Sequence, residues 1–320
     1  MIRVENLTKY YGDFKAVDNI SFTVNDGDIL GFLGPNGAGK TTTLKMLTCF
    51  MPPSLGNILY NDLGVHENSM EIREMIGYLP ENAPLYEYMS VMEYLEYICD
   101  LRNIRGARRK DRMSAMIDTC GLEKVVGKDI GELSKGNRQR VAIAQAMIHE
   151  PEILILDEPT IGLDPNQIIG IRNLIKAVGE EKTVILSTHI LSEVETICNR
   201  VVIISSGEIV ADGTVDSLRS QLAGETILHL ELKAGAEEAK DAFSSIENVE
   251  RVTLISRPPG LTGGGNIELD ISILGTRDVR EDVFKRTVEK GWTILEMHLH
   301  RNNLVSLEDV FRNLTQSQGG

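Results

Sequence analysis

One short glycine-rich segment constrains this chain more than any other part of its sequence. It fits the pattern G-x-x-x-x-G-K-[ST], in which the backbone turns tightly around a phosphate group. Glycine permits such a turn, so several N–H groups point inward, while Lys40 adds positive charge and the Thr41 hydroxyl can ligate Mg²⁺. The segment consists of Gly34, Pro35, Asn36, Gly37, Ala38, Gly39, Lys40 and Thr41. It predicts a binding site for nucleotide phosphates; a glycine-rich turn without ligand is the alternative.

The residues on either side of this loop have the patterns of a buried strand and of a helix. Residues 29–33 are apolar or glycine, which is typical of a strand covered on both faces. A helical pattern follows from Thr42 onwards, and we include Thr42 in the phosphate site. A helix that begins near Lys40 directs the positive end of its dipole at the same phosphate. This order of strand, loop and helix is the context in which the glycine pattern indicates nucleotide binding.

Two further segments carry groups suited to phosphate chemistry. Residues 153–156 are apolar and precede Asp157 and Glu158, so a buried strand would deliver two carboxylates to its C-terminal end, where ligands bind in open α/β sheets. Asp157 can hold Mg²⁺ through water, and Glu158 can orient or deprotonate an attacking water. Residues 133–140 precede a helical run, and Ser134 there is either an anion ligand or an ordinary helix N-cap.

Together these segments resemble the ATP-binding cassette (ABC) family, and the resemblance covers roughly residues 1–215. The glycine loop is similar to the Walker A motif of that family, and the strand ending at Asp157 and Glu158 is similar to its Walker B motif. Ser-Thr-His after a further apolar strand resembles the switch histidine, here His189. Tyr11 stands where the family places an aromatic ring against adenine. The motifs occur in the order that the family has.

Residues 133–137 resemble the family's signature LSGGQ, with two departures. Lys135 replaces the first glycine and Asn137 replaces glutamine, whereas Ser134 and Gly136, which approach the γ-phosphate in the family, are kept. The resemblance therefore implies nucleotide-binding roles for Ser134, Gly136 and Asn137.

Each role implied by the resemblance has a structural alternative. His189 is expected to bond the γ-phosphate and Glu158, and a satisfied core histidine is the alternative. Tyr11 is expected to stack on the base, although with Tyr10 beside it simple packing is possible. Asp164, in a segment that resembles the D-loop, also has the pattern of a helix N-cap before proline, and both readings can hold together.

A departure at Glu81 bears on the metal site. The family usually has glutamine after the strand that occupies 76–80 here, and that glutamine contacts the metal and the attacking water. Glu81 could still ligate Mg²⁺, but it adds negative charge beside the phosphates. Glutamate at this place, together with the signature form L-S-K-G-x-R-Q-R, is similar to a subset of the family linked to ABC-2-type exporters.

The resemblance implies an α/β fold, namely a P-loop NTPase of the ABC type with a RecA-like core, an antiparallel β layer and a helical subdomain. Alternating apolar residues favour the antiparallel layer over residues 1–30, and helical patterns over 88–145 include the signature. We place the ATP-binding domain at residues 1–218 and a smaller α+β domain at 219–320.

The smaller domain shows the order β-α-β-β-α-β of a ferredoxin-like fold, followed by another helix. The predicted strands are 226–232, 249–256, 267–273 and 293–299, and the predicted helices are 236–246, 277–290 and 306–315. The glycine-rich stretch 258–265 lacks a lysine and a following helix, so it indicates a hairpin connection. Ser306 has the pattern of an N-cap. Nothing in this domain looks catalytic, and dimer contact, regulation or substrate sensing is its expected role.

Composition restricts the partners. A net charge of −14 argues against a general nucleic-acid surface, because such surfaces bind by neutralising phosphates. The basic residues of stretch 102–112 are interpreted as a solvated face, with acidic lipid or RNA as alternatives. Four cysteines without metal-ligand spacing suit a reduced cytosolic interior. No signal peptide and no bilayer-length apolar run is visible, so a transporter's channel is expected to be another polypeptide.

The resemblance implies the motor subunit of a membrane exporter, an ATPase that uses ATP and Mg²⁺. Two copies would pack head to tail as a homodimer, each ATP lying between one chain's glycine loop and the other's signature. The chain would sit on the cytoplasmic face of a bacterial membrane, bound to a separate permease. A soluble ABC ATPase acting on nucleic acid or ribosomes is the alternative, and an importer subunit is a weaker one. The cargo is not encoded in these residues.

Overall fold

The chain forms two compact units. A computed structural model describes residues 1–222, 226–255, 266–273 and 278–301, together with Glu308 and Phe311. Of the described residues, Met1–Val215 and Phe311 belong to one unit, and the other unit lies within Asp216–Val310. The predicted domain limit after residue 218 falls inside a helix, Val215–Leu222, that spans this division.

The first unit alternates strands and helices along most of its length. Its strands are β1 (Ile2–Tyr11), β2 (Phe14–Val24), β3 (Ile29–Leu33), β4 (Leu55–Tyr60), β5 (Leu63–Gly64), β6 (Ile76–Leu79), β7 (Ile153–Asp157), β8 (Thr183–Thr188), β9 (Arg200–Ser205) and β10 (Glu208–Gly213). Its helices are α1 (Lys40–Leu47), α2 (Ser69–Met75), α3 (Val91–Leu101), α4 (Gly106–Cys120), α5 (Lys135–Met147), α6 (Pro165–Gly179) and α7 (Leu191–Ile197), and α8 (Val215–Leu222) follows.

A six-stranded sheet in the order β10-β9-β3-β8-β7-β6 forms the centre of this unit. Its strands are parallel except β10, which pairs antiparallel with β9 as a hairpin. Every residue of β7 is buried because side chains alternate between two covered faces. Ile153 and Ile155 belong to one hydrophobic cluster, and Leu154 and Leu156 belong to another. The parallel strands end together at one edge of the sheet, which is where ligands bind in such folds.

An antiparallel layer, β2-β1-β4-β5, packs against one face of the central sheet together with α1. Apolar residues of β1 and β2, among them Val4, Leu7 and Phe22, share a cluster with Phe32 of β3 and Leu44 of α1. The predicted antiparallel layer over residues 1–30 is therefore confirmed for β1 and β2. β3 begins at Ile29 and belongs to the central sheet, and the sequence analysis did not place β4 and β5 in the layer.

Helices α3, α4 and α5 cover the opposite face of the central sheet, in the region predicted to be helical. A capping box at Ser90 and Glu93 begins α3 and fixes where the helical region starts. Val91 and Tyr94 pack into the core of this region, whereas Tyr88 stays 97% exposed. Part of the stretch 86–97, which is rich in tyrosine and methionine, is thus core, and part faces solvent.

The second unit has the elements β11 (Thr226–Lys233), α9 (Ala236–Ser244), β12 (Val249–Leu254), β13 (Asn266–Ile273), α10 (Arg280–Glu289) and β14 (Thr293–Arg301). Its antiparallel sheet has the order β12-β13-β11-β14, which confirms the ferredoxin-like topology. The predicted glycine-rich connection at 258–265 and the N-cap at Ser306 lie outside the described residues. Of the predicted last helix, Glu308 and Phe311 are described, and both are helical.

Two arginines of the basic stretch contact the end of α5 and the segment that follows it. Arg112 donates to the carbonyl oxygens of Met147 and Ile148, at 3.1 and 3.0 Å, and both Arg108 and Arg112 pair with Glu150. The interpretation of this stretch as a solvated face holds for Arg108, whose side chain is 64% exposed, and is wrong for Arg112, which is 17% exposed and bridges α4 to the end of α5.

His149 lies beside these arginines and is kept neutral. Its Nε2 lies 3.0 Å from the carbonyl oxygen of Ile76, and its buried Nδ1 has no partner among the described groups. Burial lowers the pKa of His149 to about 4, and Arg102, Arg112 and Lys182 add to that effect. A second ring proton would be buried, unpaired and close to like charges.

We expect His149 to make the protein less stable as the pH falls from 6.5 towards 4. The unfolded chain binds a proton in this interval and the folded chain does not, so the free energy of unfolding decreases with falling pH. Between pH 7.5 and 5.5 this loss is about 1 kcal/mol, allowing for partial solvent screening. Denaturant unfolding at both pH values should show the extra loss in the wild type and in the His66→Gln control, whose histidine is exposed. The loss should be absent in His149→Gln, and an equal pH dependence in all three proteins would contradict this assignment.

Candidate functional site

A cavity of about 380 Å³ opens at the C-terminal edge of the central sheet. The glycine loop and the start of α1 form its floor, the end of β1 and the start of β2 form one wall, and the segments after β6 and β7 form the other. Its lining consists of Tyr11, Phe14, Ala16, Asn36, Gly37, Gly39, Lys40, Thr41, Thr42, Glu81, Glu158 and Ile161. The structure thus brings together residues that the sequence analysis assigned to phosphate, base and metal. A cavity of this volume is in the range of small-molecule sites.

Two glycines allow the loop to lie close to neighbouring backbone. A Cβ atom at Gly34 would lie 2.4 Å from the carbonyl oxygen of Ile204, and one at Gly39 would lie 2.6 Å from that of Ala16. Gly39 also has a φ of 108°, in the left-handed region that favours glycine, and it stands immediately before α1. Glycine is therefore required at both positions for the backbone path of this loop.

Lys40 is 6% exposed, and its charge is compensated on several sides. Its Nζ donates to the carbonyl oxygens of Gly34 and Pro35, at 2.8 and 3.2 Å, and lies 3.3 Å from Oε1 of Glu158. A buried ammonium group without such partners would be costly. The side chain is held at the loop, beside the first turn of α1, where positive charge can meet phosphate.

Asp157 ends β7 with both carboxylate oxygens buried. Its Oδ1 accepts from the hydroxyls of Ser187, at 2.5 Å, and Thr41, at 3.2 Å, while no described group bonds its Oδ2. Burial raises the pKa of Asp157, and the two hydroxyl bonds act against that rise. A buried carboxylate oxygen without a partner, next to a threonine hydroxyl, is a donor set that suits Mg²⁺. Asp157 and Thr41 therefore fit the metal that the sequence analysis assigned to them.

Glu158 follows Asp157 with a φ of 47°, in the left-handed region that non-glycine residues seldom adopt. Its backbone N–H donates to the Ser187 hydroxyl at 3.0 Å, and the turn directs its side chain back over the glycine loop. One carboxylate oxygen faces Lys40, and the other lies 2.9 Å from Nδ1 of His189. Because a carboxylate can only accept, this Nδ1 carries the proton. Glu158 is thus held between a lysine and a histidine, with little contact with water.

Two aromatic rings line the cavity, and the sequence analysis named one of them. Tyr11 is 46% exposed and its hydroxyl contacts the Met51 sulfur, while Phe14 is 64% exposed. The two residues face each other directly across the β1–β2 pair. Their position at a tight turn between alternating strands was the signal that could have identified Phe14. The lining does not include Tyr10.

Glu81 is exposed at the rim of the cavity, just after β6. Tyr78, two residues before the end of the segment 76–80, has a buried hydroxyl without a partner among the described groups. Burial raises the pKa of this hydroxyl well above its ordinary value, and Asp157 and Glu81 add to the rise. Tyr78 was not assigned from the sequence, where it looked like an ordinary strand residue.

The signature residues lie apart from this cavity, since none of them belongs to its described lining. Ser134 caps α5 by accepting from the Asn137 N–H at 3.3 Å, and Gly136 is buried against the Gln167 side chain. Asp164 caps α6 by accepting from the N–H of Gln167 at 2.9 Å. The N-cap readings of Ser134 and Asp164 are therefore confirmed.

Comparison with known proteins gives this geometry a family. The model of the family described as "ABC transporter" matches residues 17–161. The Linearmycin resistance ATP-binding protein LnrL of Bacillus subtilis (strain 168) is 32% identical over 316 residues, which is 98% of each chain. The Bacitracin transport ATP-binding protein BcrA of Bacillus licheniformis is 39% identical over 223 residues, covering 69% of this chain and 72% of BcrA.

A solved structure shows the same cassette fold. The dimeric, post-hydrolysis form of the ATP-binding cassette MJ0796, bound to ADP and Pi, superposes with a TM-score of 0.61 at 26% identity. The match covers 67% of this chain and 99% of MJ0796. The expected P-loop NTPase fold of the ABC type is thereby confirmed. The chain belongs to the family of ABC transporter ATP-binding proteins and is an ATPase of that family.

Proposed function

We propose that two copies of this chain bind two ATP molecules head to tail and use their hydrolysis to drive a separate membrane permease of an ABC-2-type exporter. The proposal rests on one observation, namely that the signature residues lie apart from the cavity that holds the other site residues of the same chain. Lys40, Thr41 and Glu158 line one cavity, and His189 bonds Glu158 while Asp157 bonds Thr41. The signature begins α5 and contributes no residue to the described lining. An isologous dimer gives each cavity a signature from the partner. The dimeric structure of MJ0796 supports this arrangement.

The chain's own groups account for the chemistry. Lys40 and the N–H groups of the glycine loop bind the β- and γ-phosphates, and Tyr11 or Phe14 stacks on the base. Glu158 accepts a proton from the attacking water, and His189 holds that carboxylate and approaches the γ-phosphate. Asp157 and Thr41, with Glu81 at the rim, would hold Mg²⁺, which when bound neutralises charge on the phosphates.

The relatives support the exporter class. One is named for linearmycin resistance and another for bacitracin transport, and both are ATP-binding proteins rather than permeases. In the described part of this chain, no helix is both long and apolar enough to cross a bilayer. We place the protein at the cytoplasmic face of the membrane, attached to a permease that forms the pathway. Opening of the dimer after hydrolysis would then move that permease.

An ATPase acting on nucleic acid or ribosomes is the competing function. It would need a basic surface, but the chain has a net charge of −14 and several arginines of its basic stretch are already paired. These observations favour the transporter.

Glu158→Gln should abolish turnover while leaving ATP bound. The amide cannot accept a proton, so we expect kcat to fall by at least about 100-fold, with ATP-dependent dimers persisting. Steady-state phosphate release and light scattering with ATP measure the two effects. Glu152→Gln is the matched control, because Glu152 is an exposed carboxylate at the other end of the same strand. Wild-type turnover in Glu158→Gln would remove the proposed role of Glu158, and its failure to dimerise with ATP would count against the head-to-tail dimer.

Glu81→Gln should keep most of the ATPase activity. Glu81 is exposed at the rim, and an amide oxygen can replace one carboxylate oxygen as a metal ligand. We therefore expect kcat to fall by less than about tenfold, a difference of roughly 1.4 kcal/mol in activation free energy. Phosphate release across a Mg²⁺ titration provides the measurement. A loss as large as that of Glu158→Gln would show that the carboxylate itself is required.

Tagged Glu158→Gln protein, held with ATP, should recover a polytopic membrane protein from detergent-solubilised membranes of the source cells. The closed dimer is the state in which the chain should stay attached to its permease. Mass spectrometry of the bound fraction, with Lys40→Ala as the nucleotide-binding control, is the measurement. Recovery of ribosomes or nucleic acid without a membrane protein would contradict the transport function and leave the ATPase intact.

A further inference from the structure

Glu193, on helix α7, is a carboxylate that is 0% exposed and that the mechanism above does not use. Its Oε2 accepts from the hydroxyl of Thr188 at 2.7 Å, and its Oε1 accepts from the hydroxyl of Thr160. Arg172 of α6 supplies the nearby positive charge, with its Nη2 at 3.8 Å. Three separate segments of the chain thus meet at one buried side chain.

Two of these segments carry the proposed catalytic groups. Thr188 ends β8 directly before His189, and its hydroxyl also accepts from the N–H of Ile190 at 3.0 Å. The loop that bears His189 is therefore held from both sides by this one hydroxyl. Thr160 stands two residues after Glu158, in the turn where the Ile161 N–H donates to the Glu158 carbonyl at 3.1 Å. Glu193 consequently joins the segment that presents the histidine to the segment that presents the carboxylate.

The third segment leads towards the D-loop. Arg172 lies on α6, the helix that begins at the Asp164 cap, and it also donates to the Ser192 hydroxyl at 3.1 Å. The turn that contains Thr160 runs directly into that cap, with the Leu163 N–H donating to the Thr160 carbonyl at 3.2 Å. Through Thr188, Thr160 and Arg172, Glu193 therefore connects the His189 loop with the Asp164 cap. The proposed dimer would place that cap against the partner chain.

Stability alone is a poor explanation for this arrangement. A buried carboxylate costs desolvation free energy, and apolar residues of similar volume commonly replace a buried ion pair without loss. The carboxylate does, however, fix the directions of two hydroxyls and so the positions of the segments that bear them. Such positions matter for catalysis, because displacing a catalytic group by about 1 Å can lower the rate by about 100-fold.

We propose that Glu193 is a positioning residue of the ATPase, which holds His189 against Glu158 and links the His189 loop to the turn 160–164. The inference rests on the roles proposed for Glu158 and His189. Glu193 itself touches neither ATP nor the reacting water.

The first test compares Glu193→Gln and Thr188→Val with Glu195→Gln in the full-length protein. Both test variants keep side-chain size. Glu193→Gln leaves one acceptor oxygen for two donating hydroxyls, and Thr188→Val removes the hydroxyl that donates to Glu193. Glu195 is an exposed carboxylate on the same helix. We expect kcat to fall by about 10- to 100-fold in each test variant, with KM for ATP within about twofold, because position and not binding is lost. Glu195→Gln should match the wild type. Thr188→Val keeps the test valid if Glu193→Gln folds poorly.

A double-mutant cycle with His189→Ala separates positioning from general disruption. If Glu193 acts through His189, Glu193→Gln should have little further effect once the imidazole is gone. Effects that multiply in the double variant would overturn the proposal, as would a rise in KM without a fall in kcat.

A second readout does not depend on turnover. The ring resonance of His189, assigned by its loss in His189→Ala, should shift in Glu193→Gln and Thr188→Val and stay in place in Glu195→Gln. An unshifted resonance would overturn the positioning role even if the protein hydrolysed ATP. If the wild type does not hydrolyse ATP but the His189 resonance shifts in the two test variants, the proposed ATP chemistry is wrong and the positioning role stands. The two failures are therefore distinguishable.

Discussion

The buried ion pair between Lys40 and Glu158 is the contact on which the rest of the site depends. It joins the glycine loop after β3 to the turn after β7, and β8 lies between these strands in the sheet. Both groups are nearly inaccessible to water, so each needs the other's charge. His189, directly after β8, bonds the other carboxylate oxygen of Glu158, so Glu158 is held between Lys40 and His189. In the proposed function, an incoming phosphate would add negative charge at Lys40, and Lys40 would then be shared between the phosphate and Glu158. Nucleotide binding would therefore loosen the contact of Glu158 with Lys40 without any large movement of backbone.

Local strain is present at the residue proposed to act as the base. The positive φ of Glu158 costs on the order of 1–3 kcal/mol, and such strain persists where surrounding contacts determine the conformation. Ser187 supplies those contacts, because it binds the Glu158 N–H through its hydroxyl and carbonyl oxygens and also donates to Asp157. One serine in β8 thus sets the positions of two neighbouring acids with different tasks. Asp157 turns inward towards Thr41, and Glu158 turns out towards the cavity.

The sequence was sufficient for the fold and for most of the cavity because the information is local. Residues 153–158 encode a strand buried on both faces and two acids at its end. Residues 34–42 encode a tight loop with glycine at the positions whose backbone path excludes a side chain. The attachment of β4 to β1 was missed, because strand pairing across more than forty intervening residues leaves no local pattern. Phe14 was missed although its place at a tight turn, opposite Tyr11, was a signal in the sequence. Glu193 was missed because a glutamate in a short helix looks ordinary until the fold shows what it faces.

The helix caps show that structural and functional readings of one residue need not compete. Ser134 stabilises the first turn of α5, a contribution of about 1 kcal/mol for such caps. The same geometry leaves backbone N–H groups and the positive end of the helix dipole at the surface, where anions bind. Gly136 keeps this turn close to α6, since a Cβ there would lie 2.7 Å from the Gln167 side chain. The signature at the start of α5 therefore lies against the first turn of α6, which begins at the Asp164 cap. In the dimer that we propose, the partner's nucleotide would face the starts of α5 and α6, so its hydrolysis would change the contacts there in the first chain.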